Sequence, residues 1–336
     1  MQLPKISIVI PSYNQGQYIE QTIKSIVDQQ YPALELIVID GGSQDSTIEV
    51  LQKYDDFITY WVSEPDNGQA HAINKGLAIA TGEVFNWINS DDYLEPGALH
   101  SIGNYFRENN NINAVIGRIR YFDENGELFI TNRFNSYTLP EAITCLEMAQ
   151  PAMFLKKMCF NKVGTLNENL HFAFDFEWWV RYLLIHHNDR STLEVDNIFA
   201  NFRHHEKSKS VSQGYSSQFS IDHKNIFSAI ARKYALVKEY RTLDKVFKVS
   251  NNNALFPSEL PLETIKAVVQ DFICNEFFDL YLNKQDHSNA LHLFDALDSK
   301  YIRPEKWSKA QKILNFYQRS FPAPFYLALK SLKNVF

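Results

Sequence analysis

Asn89-Ser90-Asp91-Asp92 closes a short apolar run, Val84-Phe85-Asn86-Trp87-Ile88, and sets two carboxylates side by side. With the amide of Asn89 and the hydroxyl of Ser90 beside them, they form an oxygen-rich cluster suited to a hard divalent cation. A cation held that way neutralises a diphosphate, so the quartet predicts transfer of a group from a nucleotide-diphosphate donor. Asp91 is the first candidate for the metal, and Asp92 stands next to it. A second pair of acids, Asp175 and Glu177, opens a stretch of helical spacing. Near a helix N-terminus the macrodipole favours their charged forms. Both sets have plainer readings: turn or capping residues ahead of a helix at Pro96 for Asp91 and Asp92, and simple helix caps for Asp175 and Glu177.

Such groups work only if strand ends hold them. A short run of aromatic and β-branched residues reads as a buried strand, and open α/β sheets bind ligands at the carboxyl ends of their strands. Residues 6–10 form the first such run, broken by Pro11-Ser12-Tyr13-Asn14. That break lies where a nucleotide would sit, with Tyr13 placed to contact a base. Tyr18, Ile19, Ile23, Ile26 and Val27 give helical spacing over 17–29. Residues 34–39 are the next strand, ending in Asp40-Gly41-Gly42-Ser43-Gln44-Asp45-Ser46-Thr47. The glycines permit a tight turn, and the Asp and Ser residues offer N-caps to a helix carrying Ile48 and Leu51. A third strand over 58–62, the turn Asp66-Asn67-Gly68 and a helix over 69–80 lead to Thr81-Gly82 and the strand that ends in the acidic quartet. Strand alternating with helix predicts an α/β fold with a mostly parallel, twisted sheet flanked by helices and right-handed crossovers.

The pattern then loosens. A helix is expected over 96–107, a hairpin from strands 114–121 and 128–131 around Asp123-Glu124-Asn125-Gly126, and a strand over 150–155. A short helix within 160–166 stops at Gly164, an amphipathic helix covers 175–186, the last strand covers 193–202, and 203–213 is a polar loop. From about 217 only helical periods remain, over 219–234, 262–282, 290–297 and 306–317, with breaks at Asn251-Asn252-Asn253 and Pro257. The expected division is therefore a domain over 1–215 and a C-terminal α-helical appendage over 216–336. Residues 325–333 are apolar with two lysines, a candidate for lying on a membrane interface; packing on their own domain is the simpler reading. The helical tail is also a candidate contact for a homodimer.

Of 336 residues, 45% are hydrophobic, enough for a proper core, and the net charge of -6 argues against bulk nucleic-acid binding. Cys145, Cys159 and Cys274 have no metal or redox spacing and read as free thiols in a reducing compartment. No stretch is apolar for the roughly 18 residues of a membrane span, and a strand so near the start leaves no signal peptide. The expected location is cytoplasmic, with peripheral contact at the inner face of the cell membrane as a further candidate.

Ile8-Val9-Ile10-Pro11-Ser12-Tyr13-Asn14, Val38-Ile39-Asp40-Gly41-Gly42-Ser43-Gln44-Asp45-Ser46-Thr47 and Asn89-Ser90-Asp91-Asp92 resemble glycosyltransferase family 2. Between them lie Glu64-Pro65-Asp66-Asn67-Gly68-Gln69, Ala72-Ile73-Asn74-Lys75-Gly76 and Ala80-Thr81-Gly82-Glu83. Gln150-Pro151, Phe174-Asp175-Phe176-Glu177-Trp178-Trp179-Val180-Arg181 and Phe202-Arg203-His204-His205-Glu206-Lys207-Ser208-Lys209-Ser210 follow in the same order as in that family. Each motif is weak alone and the ordered set is strong; it covers about residues 4–212 and leaves the helical tail outside.

The resemblance implies the GT-A fold, with a nucleotide-sugar half over about 1–95 and an acceptor half over about 96–215. It implies an inverting transfer from a nucleotide-diphosphate sugar, a UDP-sugar on family frequency, to a hydroxyl of a glycan or lipid-linked glycan, as in bacterial surface polysaccharide assembly. Pro11, Ser12, Tyr13, Asn14, Asp40, Asp66, Asn67, Gly68, Asn89 and Ser90 are then expected to bind the donor, although Asp40 also reads as an N-cap. Lys75 reads more simply as part of a solvated helix face than as a phosphate ligand. Asp91, Asp92 and His205 are expected to hold Mn²⁺ or Mg²⁺, imidazole favouring Mn²⁺. The family pattern is Asp-x-Asp-Asp, and here Asn89 takes its first place, keeping a hydrogen bond but not a charge. The matching acid of the helix is the general base, here Asp175 with Glu177 in reserve, since residues two apart on a helix diverge. Trp178 or Trp179 offers a flat face for a sugar acceptor, with core packing the plainer role for at least one. Two other readings stay open: a catalytically inactive nucleotide- or glycan-binding module, supported by Asn89, and a sugar-nucleotide pyrophosphorylase, disfavoured because the loop after the first strand carries no basic residue.

Overall fold

The computed structural model describes residues 2–131, 138–144, 150–186, 191–206, 208–209, 213–249, 255–257 and 259–318. Cys145, Lys207, Ser210, Asn251-Asn252-Asn253 and the apolar segment 325–333 lie outside the described residues. The chain forms two compact units: Met1–Ser136 with Glu147–Asp222, and Tyr137–Leu146 with His223–Phe336. The boundary therefore falls at Asp222 rather than 215, and the segment 137–146 belongs with the helical unit, which its sequence neighbours gave no reason to expect.

The first unit opens with β1 (Ile6–Ser12), α1 (Ile19–Val27), β2 (Leu34–Asp40), α2 (Thr47–Lys53), β3 (Tyr60–Ser63), α3 (Gln69–Ile79) and β4 (Val84–Trp87). β1 runs two residues beyond its predicted end because Pro11 and Ser12 still pair with Ile39 and Asp40. β3-β2-β1-β4 are mutually parallel neighbours, and Ser12, Asp40 and Ser63 come into register at their carboxyl ends. The buried runs of the sequence occupy this core: Ile6, Ile8, Leu36, Val38, Val84 and Phe85 are each 0% exposed. α3 can lie on β1 because Gly76 faces Val9; a Cβ at Gly76 would stand 2.6 Å from the Val9 methyls.

β5 (Tyr93–Leu94), α4 (Ala98–Glu108), β6 (Ala114–Asp123) and β7 (Gly126–Ile130) follow, and then α5 (Leu139–Thr144), which belongs to the second unit. β8 (Met153–Lys156), α6 (Cys159–Val163), α7 (Phe174–His186) and β9 (Thr192–Arg203) complete the first unit's sheet and flank. The order across the sheet is β3-β2-β1-β4-β8-β6-β9-β5, with β7 paired to β6. Beyond β4 it is mixed: β8 is antiparallel to β4 and β6, whereas β6 and β9 are parallel. Gln150 and Pro151, read as strand, form a 3₁₀ turn ahead of β8. α7 is not amphipathic. Phe174, Phe176, Trp178, Trp179, Val180, Arg181, Tyr182, Leu184 and His186 are all buried, so it is a core helix, with Glu177 and Arg181 paired to each other inside it.

α8 (Gln213–Lys233) begins in the first unit and ends in the second, and α9 (Val237–Phe247), α10 (Leu262–Phe278), α11 (His287–Ala296) and α12 (Pro304–Gln318) follow. α9 went unpredicted; it fully buries only Leu243, and Lys, Arg and Glu dilute its apolar spacing. α10 gives way to a π turn over Asp279–Asn283. Within the second unit, buried Asp271 accepts hydrogen bonds from Thr144 Oγ1 at 2.5 Å and Lys306 Nζ at 2.6 Å, and Arg303 pairs with Glu141. These contacts hold α5 within that unit. Among the described residues no helix is long and apolar enough to cross a membrane.

Candidate active site

The turn after β4 sorts its two acids into opposite environments. Ile88 N–H is still bonded to Val9 O at 2.9 Å, which fixes where the turn leaves the sheet. Thr22 Oγ1 on α1 lies 2.9 Å from Ser90 O and 2.6 Å from Asp92 O and pins the turn from beneath. Asp92 points inward, 1% exposed. Its Oδ1 accepts Arg203 N–H at 2.9 Å and its Oδ2 accepts Asn89 Nδ2–H at 3.2 Å. Burial first, and the Asp91 charge second, push its carboxyl well above the usual range. Asp92 is thus a buried anchor, with both oxygens turned into the fold. Arg203 completes the anchor, donating to Asp91 O at 3.0 Å while its guanidinium stacks on Phe122 and Tyr18.

Asp91 faces the other way, into a cleft of about 740 Å³. Its Oδ2 lies 2.9 Å from His205 Nε2, and the imidazole packs on Tyr18 with ring centroids 4.7 Å apart. Among the described residues no three His, Cys, Asp or Glu side chains converge as a ready metal cage. The Asp91–His205 pair nevertheless fits a divalent ion. Two cis ligands of an octahedral ion with bonds of about 2.1 Å stand about 3 Å apart, and Mg²⁺-type ions take one or two protein ligands with substrate phosphates completing the shell.

The cleft runs over the carboxyl ends of β1 to β4. Pro11, Ser12 and Tyr13 line it, as do Asp66, Gly68, Asn89 and Ser90. Ser12 Oγ and Gln15 Oε1 are buried there without a hydrogen-bond partner among the described residues, positions a ligand would satisfy. Three expected donor residues do not line it. Asn14, in the left-handed region at φ 53°, accepts Gln44 N–H through its Oδ1 and ties the β1 loop to the β2 loop. Asp40 is 0% exposed and accepts from Gly42 N, Ser43 N, Ser43 Oγ and Ser63 Oγ at 2.5 to 3.1 Å. It shapes the loop that presents Gly41 and Gly42 to the cleft, and is itself buried behind them. Asn67 is exposed beyond the rim, its N–H 3.3 Å from His71 Nδ1. Lys75 pairs with Glu64.

The opposite wall comes from α7 and the segment before it: Phe172, Phe174 and Asp175. Burial pushes the Asp175 carboxyl up to about 6, opposed by the Phe176 N–H at 2.7 Å and by the Lys209 charge. Glu177 is turned away. It is 0% exposed and forms a two-pronged pair with equally buried Arg181, at 3.0 and 2.8 Å, away from the cleft that Asp175 lines. Arg181 also donates to the carbonyls of Val163 and Thr165. Trp178 and Trp179 are 0% exposed and pack in the core; Trp178 Nε1–H is bonded to Gly164 O at 2.7 Å.

Several cleft residues were not singled out from sequence. Gln69 heads α3 and donates to Asn89 Oδ1 at 2.7 Å, so the residue replacing an acid in the family pattern is held between Gln69 and Asp92. Lys209 donates to Gln69 Oε1 at 3.2 Å. Phe172, Phe202 and Phe219 form an apolar side, with Phe172 and Phe219 edge to face at 5.5 Å. Lys209 stood inside a motif, and its charge was the available signal; the aromatic residues carried none that separated them from core.

A family model described as Glycosyl transferase family 2 matches residues 7–187. An uncharacterised glycosyltransferase of Rickettsia typhi is 25% identical over 54% of this chain and 59% of its own length. A chondroitin synthase of Escherichia coli is 27% identical over 53% of this chain and 26% of its own length. The chain thus spans well under two thirds of these curated relatives. Among solved structures, residues 1–349 of Staphylococcus aureus TarS in complex with UDP-GlcNAc align with a TM-score of 0.59 at 18% identity, over 88% of this chain and 82% of that one. A Pyrobaculum calidifontis mannosyltransferase in complex with GDP-Man and Mn²⁺ aligns with a TM-score of 0.52 at 16% identity, over 98% of this chain and 85% of that one.

Proposed function

The chain belongs to glycosyl transferase family 2 and has the GT-A fold, and from that premise we propose that it is an inverting glycosyltransferase. It moves a sugar from a nucleoside-diphosphate sugar, a UDP-sugar, to a hydroxyl of a glycan or lipid-linked glycan. The observation that carries the reading is that Asp91 and Asp175, from opposite walls, face one cleft at the carboxyl ends of the parallel strands. The UDP-GlcNAc complex of TarS supports a uracil base, and GDP-Man in the archaeal neighbour makes guanine the competitor to test. In this reading residues 1–95 supply most of the donor site and 96–215 the acceptor side, from which His205 reaches the diphosphate.

The donor lies across the loops that follow β1 and β2, its base and ribose against Tyr13, Ser12 and Gly41. Asp91 and His205 would hold a divalent ion, which when bound offsets the charge of the diphosphate leaving group. Asp175, ionised above about pH 6, accepts the proton of the acceptor hydroxyl as its oxygen attacks the anomeric carbon from the face opposite the diphosphate. The apolar side formed by Phe172, Phe202 and Phe219 keeps bulk water from competing as acceptor.

The test is a thermal-shift panel of UDP, TDP and GDP, with and without Mn²⁺, on the natural chain and Asp91→Ala. A ligand bound by the folded state alone raises the melting point as its concentration rises. One diphosphate should stabilise the natural chain more with Mn²⁺ than without, and Asp91→Ala should remove the Mn²⁺ increment. With acceptor glycan present, the natural chain should release that nucleoside diphosphate from its sugar donor. Stabilisation without any turnover would replace the enzyme by an inactive binding module, and the absence of any shift would remove the donor site.

A further inference from the structure

Asp66, Asp91 and Asp175 place three carboxylates on the cleft, and among the described residues lining it Lys209 is the one lysine or arginine. A diphosphate entering this space meets an excess of its own sign. Two unit charges 4 Å apart interact by about 4 kcal/mol at the effective dielectric near a protein surface, so where the cleft's positive charge stands matters greatly. Lys209 sits in the loop after β9, four positions beyond His205. Its Nζ is held at 3.2 Å by a neutral amide, Gln69 Oε1, rather than by a carboxylate. Gln69 is bonded to Asn89, and Asn89 to Asp92. This string of amides links the ammonium to the turn that carries Asp91. An ammonium has three donors, and Gln69 takes one.

We propose that Lys209 is a catalytic residue, binding the β-phosphate of the donor and neutralising the charge that develops on the leaving diphosphate. The inference rests on the reading of the cleft as a donor site. In the transfer, the acceptor oxygen forms its bond to the anomeric carbon as the bond from that carbon to the β-phosphate oxygen breaks. The electron pair leaves with the phosphate oxygen, and Asp175 takes the hydroxyl proton. A cation standing at the oxygen gaining charge stabilises the transition state, a contribution of about 10²–10³ in kcat where single oxyanion donors have been removed. Burial lowers the ammonium from its ordinary value, and Asp175, Asp66 and Asp91 push it back up. The same charge holds down the Asp175 carboxyl. One lysine thus serves both ends of the step, favouring an ionised base before the attack and a charged leaving group after it.

The alternative is that Lys209 only tethers its loop to Gln69. The panel above first identifies the diphosphate that the natural chain binds. That diphosphate and its monophosphate are then titrated calorimetrically into the natural chain, Lys209→Met and Lys209→Arg. Lys209→Met should weaken the diphosphate tenfold or more and leave the monophosphate within twofold. It should also lower kcat about 100-fold at unchanged acceptor KM and move the acid limb of the kcat/KM profile to higher pH, because Asp175 has lost a cation. Lys209→Arg should recover part of the diphosphate affinity. Equal weakening of both nucleotides, or unchanged diphosphate binding, overturns the proposal and leaves the donor site standing. If the natural chain binds none of the diphosphates, the donor site falls and the role of Lys209 falls with it.

Discussion

Replacing Asp175 by Asn should make the protein more stable while it makes the enzyme inactive. Burial of the carboxyl in the cleft wall moves its pKa from 3.8 to about 6, so the folded chain binds this proton more tightly than the unfolded chain does. The sign follows by linkage: the favourable contribution is fully present below about pH 4 and is lost as the pH rises through about 6. Above that, the ionised side chain weighs against folding by up to about 3 kcal/mol, at 1.36 kcal/mol per pH unit. Asparagine keeps an oxygen for the Phe176 N–H and removes the desolvated charge. We expect Asp175→Asn to raise stability at pH 7.5 by about 1–3 kcal/mol and to change it little at pH 4. Urea unfolding followed by tryptophan fluorescence reads this, since Trp87, Trp178 and Trp179 are all buried in the first unit. In the same variant kcat/KM should fall about 10²–10⁴-fold, and in the natural chain it should climb with pH to a plateau above about 6. A variant that is less stable at pH 7.5, or a natural profile flat from pH 5 to 8, would refute the assignment of Asp175 as a desolvated base.

The remaining expectations concern residues that support the site. Glu177→Ala leaves the Arg181 guanidinium buried without its carboxylate, with only the Val163 and Thr165 carbonyls to accept from it, which should cost about 3–5 kcal/mol in urea unfolding. The surviving folded fraction should keep its kcat, and a stable but inactive Glu177→Ala would return that residue to the chemistry. Asn89→Asp restores the family's acid but removes the donor to Asp92 Oδ2; a loss of about 1–3 kcal/mol is expected at pH 7.5, and a more stable variant would show that the amide is not needed there.

The sequence by itself determined the frame. Uninterrupted β-branched runs read as strands buried on both faces, as β1 and β2 are, and their alternation with helical spacing predicts parallel neighbours with crossovers, as β3-β2-β1-β4 show. Breaks at Pro11, Asp40, Asp66 and Asn89 then had to fall at one edge of the sheet, and most cleft residues come from there. Which acid of a neighbouring pair faces that edge was not legible. Asp91 and Asp92 are alike in sequence; their fates diverge because Arg203, 111 residues away, presents its backbone N–H to one of them and His205 its ring to the other. Asp175 and Glu177 divide in the same way, through an arginine one turn further along the helix and carbonyls from the preceding loop. Asp40 looked like a ligand because acids at strand ends often are, yet it is buried and accepts from four donors of its own loop and β3. Which way Trp178 and Trp179 face was not legible either: the spacing reads as amphipathic, whereas nearly every position of the helix is buried. Secondary structure follows from local spacing, which a sequence displays. The role of a polar side chain depends on partners brought to it from distant segments, and only the folded chain brings them.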